Sequence, residues 1–243
     1  MTAATSMHTT LQKSELVAEG TMAFHFAKPS SFEYRAGQSV DLTLLNPPEA
    51  DAEGNIRAFS LASAPFDQDL MIATRMRDSA FKRVLGKASP GLEVKIEGPS
   101  GSFVLHRKAE RPAVLLAGGI GITPFLSIVR QAAHEKAAHQ IYLFYSNRRP
   151  EDSPFLEVLS ETAKQNPRFH LIATMTKMEN SQRKWTGETG LITGELLLKH
   201  LPAIEGPIFY LAGPPAMVAA LRSILAEAQV DEDDIRTEEF SGY

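Results

Sequence analysis

The sequence has 243 residues, 43% of them hydrophobic and 22% charged, which suits a globular protein of one large domain or two ordinary ones. Its net charge of −4 argues against nucleic acid as the main partner, and the absence of cysteine excludes disulfides, thiol catalysis and a cysteine-held iron–sulfur cluster within this chain. There is no apolar run of about 18 residues and no signal-peptide pattern, so we expect a cytoplasmic protein without a membrane span.

The first hundred residues consist of short β-like runs separated by turn signals. The runs at 22–26 and 39–44 alternate in polarity, and further β-like runs follow at 70–75 and 92–97. Their spacing predicts an antiparallel barrel or sandwich. One helix is predicted at 79–85 with Ser79 as its cap, and the polar loop 46–55 is predicted to be exposed.

From residue 113 onward, apolar strands alternate with helical patterns. The predicted strands are 113–117, 140–145, 169–174 and 207–212, and the predicted helices are 124–136, 152–165, 193–201 and 214–228. This alternation is typical of an α/β domain with a parallel sheet. We place the boundary near 108–112, which gives an antiparallel β-barrel domain at 1–108 and an α/β domain at 109–243.

A glycine-rich turn follows the first of these apolar strands. Gly118, Gly119 and Gly121 allow a sharp turn, and Thr123 and Pro124 suit the N-cap and the first position of a helix. A strand that leads through such a turn into a helix N-terminus attracts phosphate groups. Because Pro124 stands where the full dinucleotide fingerprint has its third glycine, the turn alone is equally compatible with a tight connection that binds nothing.

Four further motifs stand in order around this turn. In the strand 57–60, Arg57 and Phe59 share one face, where they could clamp a phosphate and stack on a planar ring, although an ordinary half-exposed strand has the same pattern. The other three motifs are a Gly-Pro-x-Gly-x-Phe turn at 98–103, an Ala-Gly-Pro-Pro turn at 212–215 and a Glu-x-aromatic ending at 238–240. The turn at 212–215 is predicted to lie on the same sheet edge as the first glycine turn.

These motifs, in this order, resemble the ferredoxin–NADP(+) reductase superfamily, and the resemblance extends from 36–38 to the end of the chain. It implies that Arg57 and Ser79 hold the phosphates of FAD, which is favoured over FMN. It also implies that Phe59 stacks on the flavin, and that Phe240 or Tyr243 covers the other flavin face. The residues that it assigns to the reaction are Ser60, Glu238 and Phe240. The cofactor contacts that it implies are Arg57, Ala58, Phe59, Ser60, Thr74, Arg75, Ser79, Ala80, Gly118, Gly119, Gly121, Thr123, Pro124, Arg148, Gly213, Pro214 and Tyr243.

The resemblance implies a reductase that transfers hydride from NAD(P)H to FAD and single electrons to a separate acceptor. An acidic ferredoxin or flavodoxin is the expected partner, and the basic segment 74–87 is the expected docking surface. Arg148, Arg149 and Lys177 favour NADPH slightly over NADH. A monomer is expected. The histidines show no metal-ligand pattern, and His134 and His139 are expected to be solvated.

Two alternatives stay open from the sequence. One is a flavin reductase or oxidase that acts on small molecules without a protein partner. The other is a non-catalytic flavoprotein subunit that relays electrons. The sequence has Ala212-Gly213 where many members of the superfamily have Cys-Gly near the site of hydride transfer.

Overall fold

A computed structural model describes residues 5–240 of the chain as two six-stranded sheets that follow each other in sequence. Tyr243, one of the two residues predicted to cover the flavin, lies outside the described residues. Among the residues described, no helix is both long and apolar enough to cross a membrane.

The first sheet is antiparallel and has the order β4-β3-β6-β1-β2-β5. Its strands are β1 (Thr5–Ala18), β2 (Thr21–Ala27), β3 (Ser39–Leu44), β4 (Ile56–Ser60), β5 (Asp69–Arg75) and β6 (Glu93–Ser100). The sequence patterns missed β1 because this 14-residue strand is largely polar and exposed. It forms by pairing with β2 on one side and with β6 on the other.

The two edge strands of this sheet come together and close it into a barrel, as the sequence predicts. Just after β4, the amide of Ala62 donates to the carbonyl of Met71 in β5 at 2.8 Å. Helix α1 (Ala80–Gly86) packs Phe81 and Leu85 into the barrel core. The hydroxyl of Ser79 accepts from the amide of Lys82, which confirms Ser79 as the helix cap.

The second sheet is parallel and has the order β10-β9-β8-β7-β11-β12. Its strands are β7 (Ala113–Gly118), β8 (Ile141–Asn147), β9 (Phe169–Met175), β10 (Glu188–Thr189), β11 (Ile208–Gly213) and β12 (Ile235–Glu239). The helices around it are α2 (Ile122–His134), α3 (Leu156–Gln165), α4 (Gly194–His200) and α5 (Pro215–Glu227). Every residue of the adjacent strands β7 and β11 is buried, as expected for a parallel sheet covered on both faces.

The glycine turn enters α2 two residues earlier than the sequence suggested. The helix begins at Ile122 with Gly121 as its N-cap, so the prediction that Thr123 caps the helix is wrong. The preceding 3-10 turn runs directly into the helix, which places Thr123 and Pro124 within its first turn. The Thr123 side chain is buried, and its hydroxyl donates to the carbonyl of Ile120 at 3.1 Å.

The two domains are clamped together beside the barrel opening. Arg130 of α2 donates through both terminal nitrogens to the carboxylate of Asp67 and lies over the ring of Phe66 at 5.2 Å. The hydroxyl of Ser127 donates to the carbonyl of Ser63 at 2.6 Å. These contacts join the first helix of the parallel sheet to the turn after β4, so they fix the sides of the cleft between the domains.

The expectation that His139 is solvated is wrong. Its side chain is 9% exposed, and Nε2 lies 2.8 Å from the carbonyl oxygen of His106. His106 is itself buried against Tyr210, with the hydroxyl of Tyr210 accepting its amide at 2.9 Å. Tertiary packing on the segment between the two sheets therefore buries a histidine that stands in a polar stretch of sequence.

Candidate functional site

Two glycine turns meet at the carboxyl edge of the parallel sheet, where the sequence predicts a nucleotide site. A Cβ atom added at Gly121 would lie 2.2 Å from the carbonyl oxygen of Ala212, and one at Gly118 would lie 2.3 Å from Sδ of Met217. A Cβ at Gly213 would lie 3.2 Å from the amide nitrogen of Gly118. The close packing of these buried turns therefore requires glycine at all three positions.

The remaining members of the two turns lie beside this contact. Gly119 has a φ of 53°, a conformation that favours glycine. Pro214 stands immediately before α5, and its carbonyl accepts the amide of Val218 in the first turn of that helix. The N-termini of α2 and α5 therefore both lie at this edge.

The strand β4 and the chain ending meet across the cleft between the domains. The hydroxyl of Ser60 donates to Oε1 of Glu238 at 3.3 Å, although the two residues are 178 positions apart. Oε2 of Glu238 is buried and has no hydrogen-bond partner within residues 5–240. Burial raises the pKa of Glu238 to about 7, and the hydrogen bond from Ser60 opposes that rise only in part.

The chain ending is held against the second glycine turn. Strand β12 pairs in parallel with β11, with Ala212 opposite Glu238 and Gly213 opposite Glu239. The amide of Phe240 then donates to the carbonyl of Gly213 at 3.0 Å. The predicted Glu-x-aromatic ending therefore lies at the same sheet edge as the glycine turns.

Arg57 and Phe59 share one face of β4, as their spacing predicts. Phe59 is half-buried with its ring centroid 5.9 Å from that of Phe81, and the guanidinium of Arg57 lies 5.2 Å from the same ring. Ala58 points away from this face and is exposed. Phe59 is partly exposed, and an aromatic side chain of this kind can stack on a planar ring.

The loop 46–55, which the sequence marks only as exposed, supplies carboxylates to this same region. Nη2 of Arg57 donates to Glu53 at 2.7 Å and lies 3.7 Å from Asp51, and Asp51 also accepts the amide of Ala80 at 2.8 Å. That backbone hydrogen bond lowers the pKa of Asp51. The group assigned to hold flavin phosphates is thus already paired with carboxylates of its own chain.

Two other residues assigned to the flavin lie on β5. Thr74 is buried, and its hydroxyl donates to the carbonyl of Arg75 at 3.4 Å. Nη2 of Arg75 lies 4.0 Å from Oδ1 of Asp152, which belongs to the second domain. Arg75 therefore faces the cleft with a carboxylate of the parallel-sheet domain close to it.

The carboxyl end of β8 carries the residues assigned to the adenosine ribose. Arg149 is held by Asp152 through two hydrogen bonds of 2.9 Å and by Glu19 at 2.6 Å, so its charge is neutralised. Arg148 and Lys177 are exposed on adjacent turns, and the amide of Lys177 donates to the carbonyl of Arg148 at 2.8 Å. Of the three predicted cations, Arg148 and Lys177 form no ion pair among residues 5–240 and are available to a ligand there.

Asn147 is a candidate that the sequence reasoning missed. Its side chain is 6% exposed at the end of β8, and its Nδ2 has no acceptor within residues 5–240. An unpaired buried donor is costly, which makes this amide a candidate contact for a ligand at the sheet edge. Only its position directly after an apolar strand could have indicated it.

Comparisons with known proteins agree with this architecture. Residues 115–223 match the family described as the oxidoreductase NAD-binding domain. The reductase component of propane 2-monooxygenase from Mycolicibacterium smegmatis is 28% identical over 219 residues, which are 88% of this chain and 61% of that protein. The chain thus spans about three fifths of the length of this relative.

Two solved structures share the fold of nearly the whole chain. The FAD/NAD-binding domain of nitric oxide dioxygenase from Vibrio cholerae has a TM-score of 0.83 at 20% identity, over 96% of this chain and 98% of that one. A ferredoxin NADP+ reductase from Neisseria gonorrhoeae, solved with bound FAD and NADP, has a TM-score of 0.79 at 21% identity, with coverage of 96% and 98%.

An antiparallel barrel followed by a parallel sheet, with the site at their junction, defines the two-domain fold of this class of oxidoreductase. The resemblance predicted from the sequence is confirmed to this extent: residues 115–223 match the oxidoreductase NAD-binding domain family, and nearly the whole chain has the fold of ferredoxin reductase-like proteins. Its 243 residues contain no cysteine and hence no cysteine-held iron–sulfur cluster.

Proposed function

We propose that this protein is an NAD(P)H-dependent flavoprotein reductase that binds FAD between its domains and passes electrons to a separate acceptor. The observation that carries the proposal is the contact between Ser60 and Glu238. It joins the strand of the Arg-x-Phe-Ser motif to the sheet edge where the two glycine turns meet, so both halves of the site face one cleft. The relatives that are reductase components support the same reaction.

The residues present fit a flavin and a nicotinamide nucleotide. The glycine turns and the N-termini of α2 and α5 meet at the sheet edge, the partly exposed ring of Phe59 could stack on a planar ring, and Oε2 of Glu238 is a buried polar atom without a partner among residues 5–240. A bound flavin would supply the chemistry that links a two-electron donor to a one-electron acceptor.

The chain's own contribution is alignment and a titratable group. Phe59 would hold the ring plane, and Ser60 would present its hydroxyl at the ring edge. Glu238, whose pKa is raised to about 7 by burial, can hold a proton near neutral pH at the carboxyl group beside Ser60. Arg57 and Ser79 would hold the phosphates, with Thr74, Arg75 and Ala80 beside them. Phe240 would lie against the face of the ring opposite Phe59.

The proposal also covers the choice between NADH and NADPH. Arg148 and Lys177 are exposed cations at the end of β8 and after β9, and both could pair with a 2′-phosphate. Arg149, which favours NADPH in the sequence, has its charge neutralised by Asp152 and Glu19. We therefore expect a modest preference for NADPH, which Arg148→Ala should reduce. A strong preference of the wild type for NADH would contradict it.

The proposed function is tested by reconstituting the protein with FAD and adding NADH or NADPH without oxygen. Loss of the flavin absorbance, followed by its return when a one-electron acceptor is added, is the expected result. Arg57→Ala should weaken FAD binding roughly tenfold to a hundredfold, because a charge-assisted hydrogen bond contributes about 1.5–3 kcal/mol. A flavin absorbance that neither NADH nor NADPH reduces would contradict the proposed reductase activity. Full FAD occupancy in Arg57→Ala would contradict the role of Arg57.

A further inference from the structure

Strand β9 lies near one side of the parallel sheet, and most of its outer edge has no neighbouring strand. The outermost strand, β10, has two residues and pairs only with Thr174 and Met175. Residues 169–173 of β9 therefore pair with β8 alone among residues 5–240. We call the side of residues 169–173 that faces away from β8 the free edge of β9.

The backbone of two residues points to this free edge. In a parallel pair, successive residues direct their N–H and C=O groups alternately to the two sides of the strand. The amide of Ile141 at the start of β8 donates to the carbonyl of Arg168 at 2.8 Å, so the even-numbered residues of 168–172 face β8. Leu171 and Ala173 consequently direct their backbone groups outward. Outward N–H and C=O groups of this kind are a template for another strand.

A pocket of about 620 Å³ lies beside the free edge, on the face of the sheet that packs against α4. Its floor includes Ile172 and the rings of Tyr142 and His170, which stack with their centroids 4.6 Å apart. Lys199 and His200, at the end of α4, form one side. We call this the β9 pocket. Its volume is in the usual range of ligand clefts, so it can take side chains of a strand added at the free edge.

The β9 pocket lies away from the candidate site along the strands. Tyr142 and His170 are the second residues of β8 and β9, whereas the glycine turns lie at the carboxyl edge of the sheet. Tyr142 stands five positions before Asn147 in β8, which is roughly 16 Å at about 3.3 Å per residue. A segment bound at the β9 pocket therefore leaves the glycine turns uncovered.

The carboxylate that lines the β9 pocket is already neutralised. Among residues 5–240, Glu188 is the one acidic residue of this pocket, and it is bound by Nζ of Lys199 at 2.6 Å and by Nε2 of His200 at 2.8 Å. The hydrogen bonds from Lys199 and His200 lower the pKa of Glu188, so its charge stays in these pairs. The pocket thus has no unpaired carboxylate that would repel an acidic segment.

Unpaired cations flank the free edge. Arg168 immediately precedes β9, and Lys184 lies in the loop that leads to the pocket residues 186–188. Both side chains are exposed, and neither forms an ion pair within residues 5–240. This local positive charge is opposite to the net charge of the whole chain, which is −4. A segment with carboxylate side chains is the chemistry that such cations attract.

We propose that the free edge of β9 binds an extended acidic segment of a partner protein by strand addition. The backbone of that segment would pair with Leu171 and Ala173, and alternate side chains would enter the β9 pocket. Its carboxylates would lie beside Arg168, Lys184 and Lys199. This binding goes beyond the proposed reductase function, because it tethers a partner to the parallel-sheet domain and leaves the proposed flavin and nucleotide positions free.

The test uses the full chain loaded with FAD and three rhodamine-labelled synthetic peptides of about seven residues, the length of β9. The acidic peptide alternates glutamate and valine, and the basic peptide alternates lysine and valine. The third peptide is the acidic one with every backbone nitrogen methylated, so it keeps the charge and has no backbone donors. Binding is measured as fluorescence anisotropy at low salt.

The acidic peptide is expected to bind at least about tenfold more tightly than either of the other two, because strand addition needs both backbone hydrogen bonds and attraction of charge. In NMR spectra, the amide signals of Leu171 and Ala173 should move on titration, and those of Gly118 and Gly213 should not. Equal binding of the methylated peptide overturns the proposal. So do shifts confined to other residues, or the lack of saturable binding up to about 1 mM peptide.

Two matched charge variants test the flanking cations. Arg168→Glu with Lys184→Glu should weaken binding of the acidic peptide at least about tenfold at low salt. The control is Arg77→Glu with Lys87→Glu, two exposed cations on the barrel, which changes the net charge equally and should weaken binding less than about twofold. Equal weakening in both variants overturns the proposal, because it would mean that only the overall charge matters.

A third variant tests the backbone edge. Leu171→Pro removes an outward N–H at an edge position, where proline is tolerated, and should abolish peptide binding. Unchanged binding overturns strand addition. If the variant does not fold, the methylated peptide gives the same answer on the wild type.

Two further readouts separate this proposal from the reductase function and from self-association. The rate of FAD reduction by NADH or NADPH should not change when the acidic peptide is bound, and competition between peptide and nucleotide overturns the proposal. Peptide binding itself supports the proposal whether or not either nucleotide reduces the flavin. If sedimentation shows a wild-type dimer that excludes the peptide and that Leu171→Pro dissociates, the free edge pairs with a second copy of the chain and the proposal is overturned.

Discussion

The barrel and the parallel sheet each offer a place for an anionic cofactor group, but the kind of residue that forms each place differs. On the barrel, the site consists of charges: Arg57 and the amide of Ala80 face the carboxylates of Glu53 and Asp51. At the sheet edge, the site depends on close packing, because Gly121 and its neighbours leave no space for a Cβ atom. The first site can be tuned by charge, whereas the second depends on sterics.

The largest effect is expected from disrupting the close packing of the two glycine turns at the sheet edge. Gly121→Ala puts a Cβ atom 2.2 Å from the carbonyl oxygen of Ala212, and backbone cannot easily move there. We expect the free energy of unfolding to fall by about 3 kcal/mol, the upper end of the usual cost of overpacking. Urea denaturation measures it.

The matched control is Gly194→Ala, at the first position of α4. The nearest atom to its new Cβ would be Cγ2 of Ile224 at 3.7 Å, which is ordinary contact. We expect no loss, since alanine favours a helix more than glycine does. Similar losses in both variants would show that packing between the glycine turns is not the reason for the requirement at Gly121.

The second prediction concerns Glu238, which lies where the two regions meet. Its pKa is raised from 4.5 to about 7 by burial, so the folded protein binds this proton more tightly than the unfolded chain. The stabilisation from that proton is present at low pH and is lost as the pH rises from about 4.5 to 7. Because the side chain is partly exposed, we expect the free energy of unfolding to fall by about 2 kcal/mol over this pH range.

Glu238→Gln should remove this contribution, because the amide does not titrate. The measurement is the change in unfolding free energy between about pH 5 and about pH 8, in the wild type and in the variant, so that other titrating groups cancel. A smaller loss on raising the pH is expected in the variant. If both proteins lose the same amount, the carboxyl of Glu238 titrates at an ordinary pKa.

The smallest effect is expected on FAD affinity at the barrel site, which is formed by charged groups. If the carboxylate of Glu53 competes with a flavin phosphate for Arg57, then Glu53→Gln should tighten FAD binding about fivefold, which corresponds to about 1 kcal/mol. Glu161→Gln on α3 is the control, since Glu161 is an exposed carboxylate paired with Lys164. FAD titration followed by fluorescence measures both.

A double-mutant cycle completes this test. In the background of Arg57→Ala, Glu53→Gln should have a smaller effect on FAD affinity, because the competition requires the guanidinium. An unchanged effect would mean that Glu53 acts on the cofactor directly by repulsion. Weaker FAD binding in Glu53→Gln itself would mean that the carboxylate holds Arg57 in its binding position.

The sequence predicts the buried strands of both sheets and misses the exposed β1 and the two-residue β10, for physical reasons. Strands such as β7 are continuous apolar runs, which indicate burial on both faces. Strand β1 has no such pattern because it is held by pairing with β2 and β6, and pairing partners cannot be recognised from one strand's composition. The start of α2 was misplaced because Thr123 has the chemistry of a cap but a helical backbone.

The candidate site shows the same limit. The motifs place Ser60 and Glu238 in one site only through the family resemblance, and the structure is what shows their contact at 3.3 Å. The roles of Asp51 and Glu53 could not be foreseen, because an acidic loop is equally compatible with simple solvation. Local periodicity identifies elements, whereas ion pairs between distant loops depend on the tertiary arrangement.

The clamp between Arg130 and Asp67, with Ser127 bound to Ser63, also bears on how a nucleotide would come and go. The ion pair and the buried hydroxyl contact hold α2 against the turn after β4, so we expect them to oppose hinge motion at the cleft. Entry then depends on the open mouth of the cleft and on small side-chain movements. At that mouth Phe240 is half-buried, and its amide is bound to Gly213. We therefore expect a nucleotide to reach the site through local movement at Phe240, while the domains stay in contact.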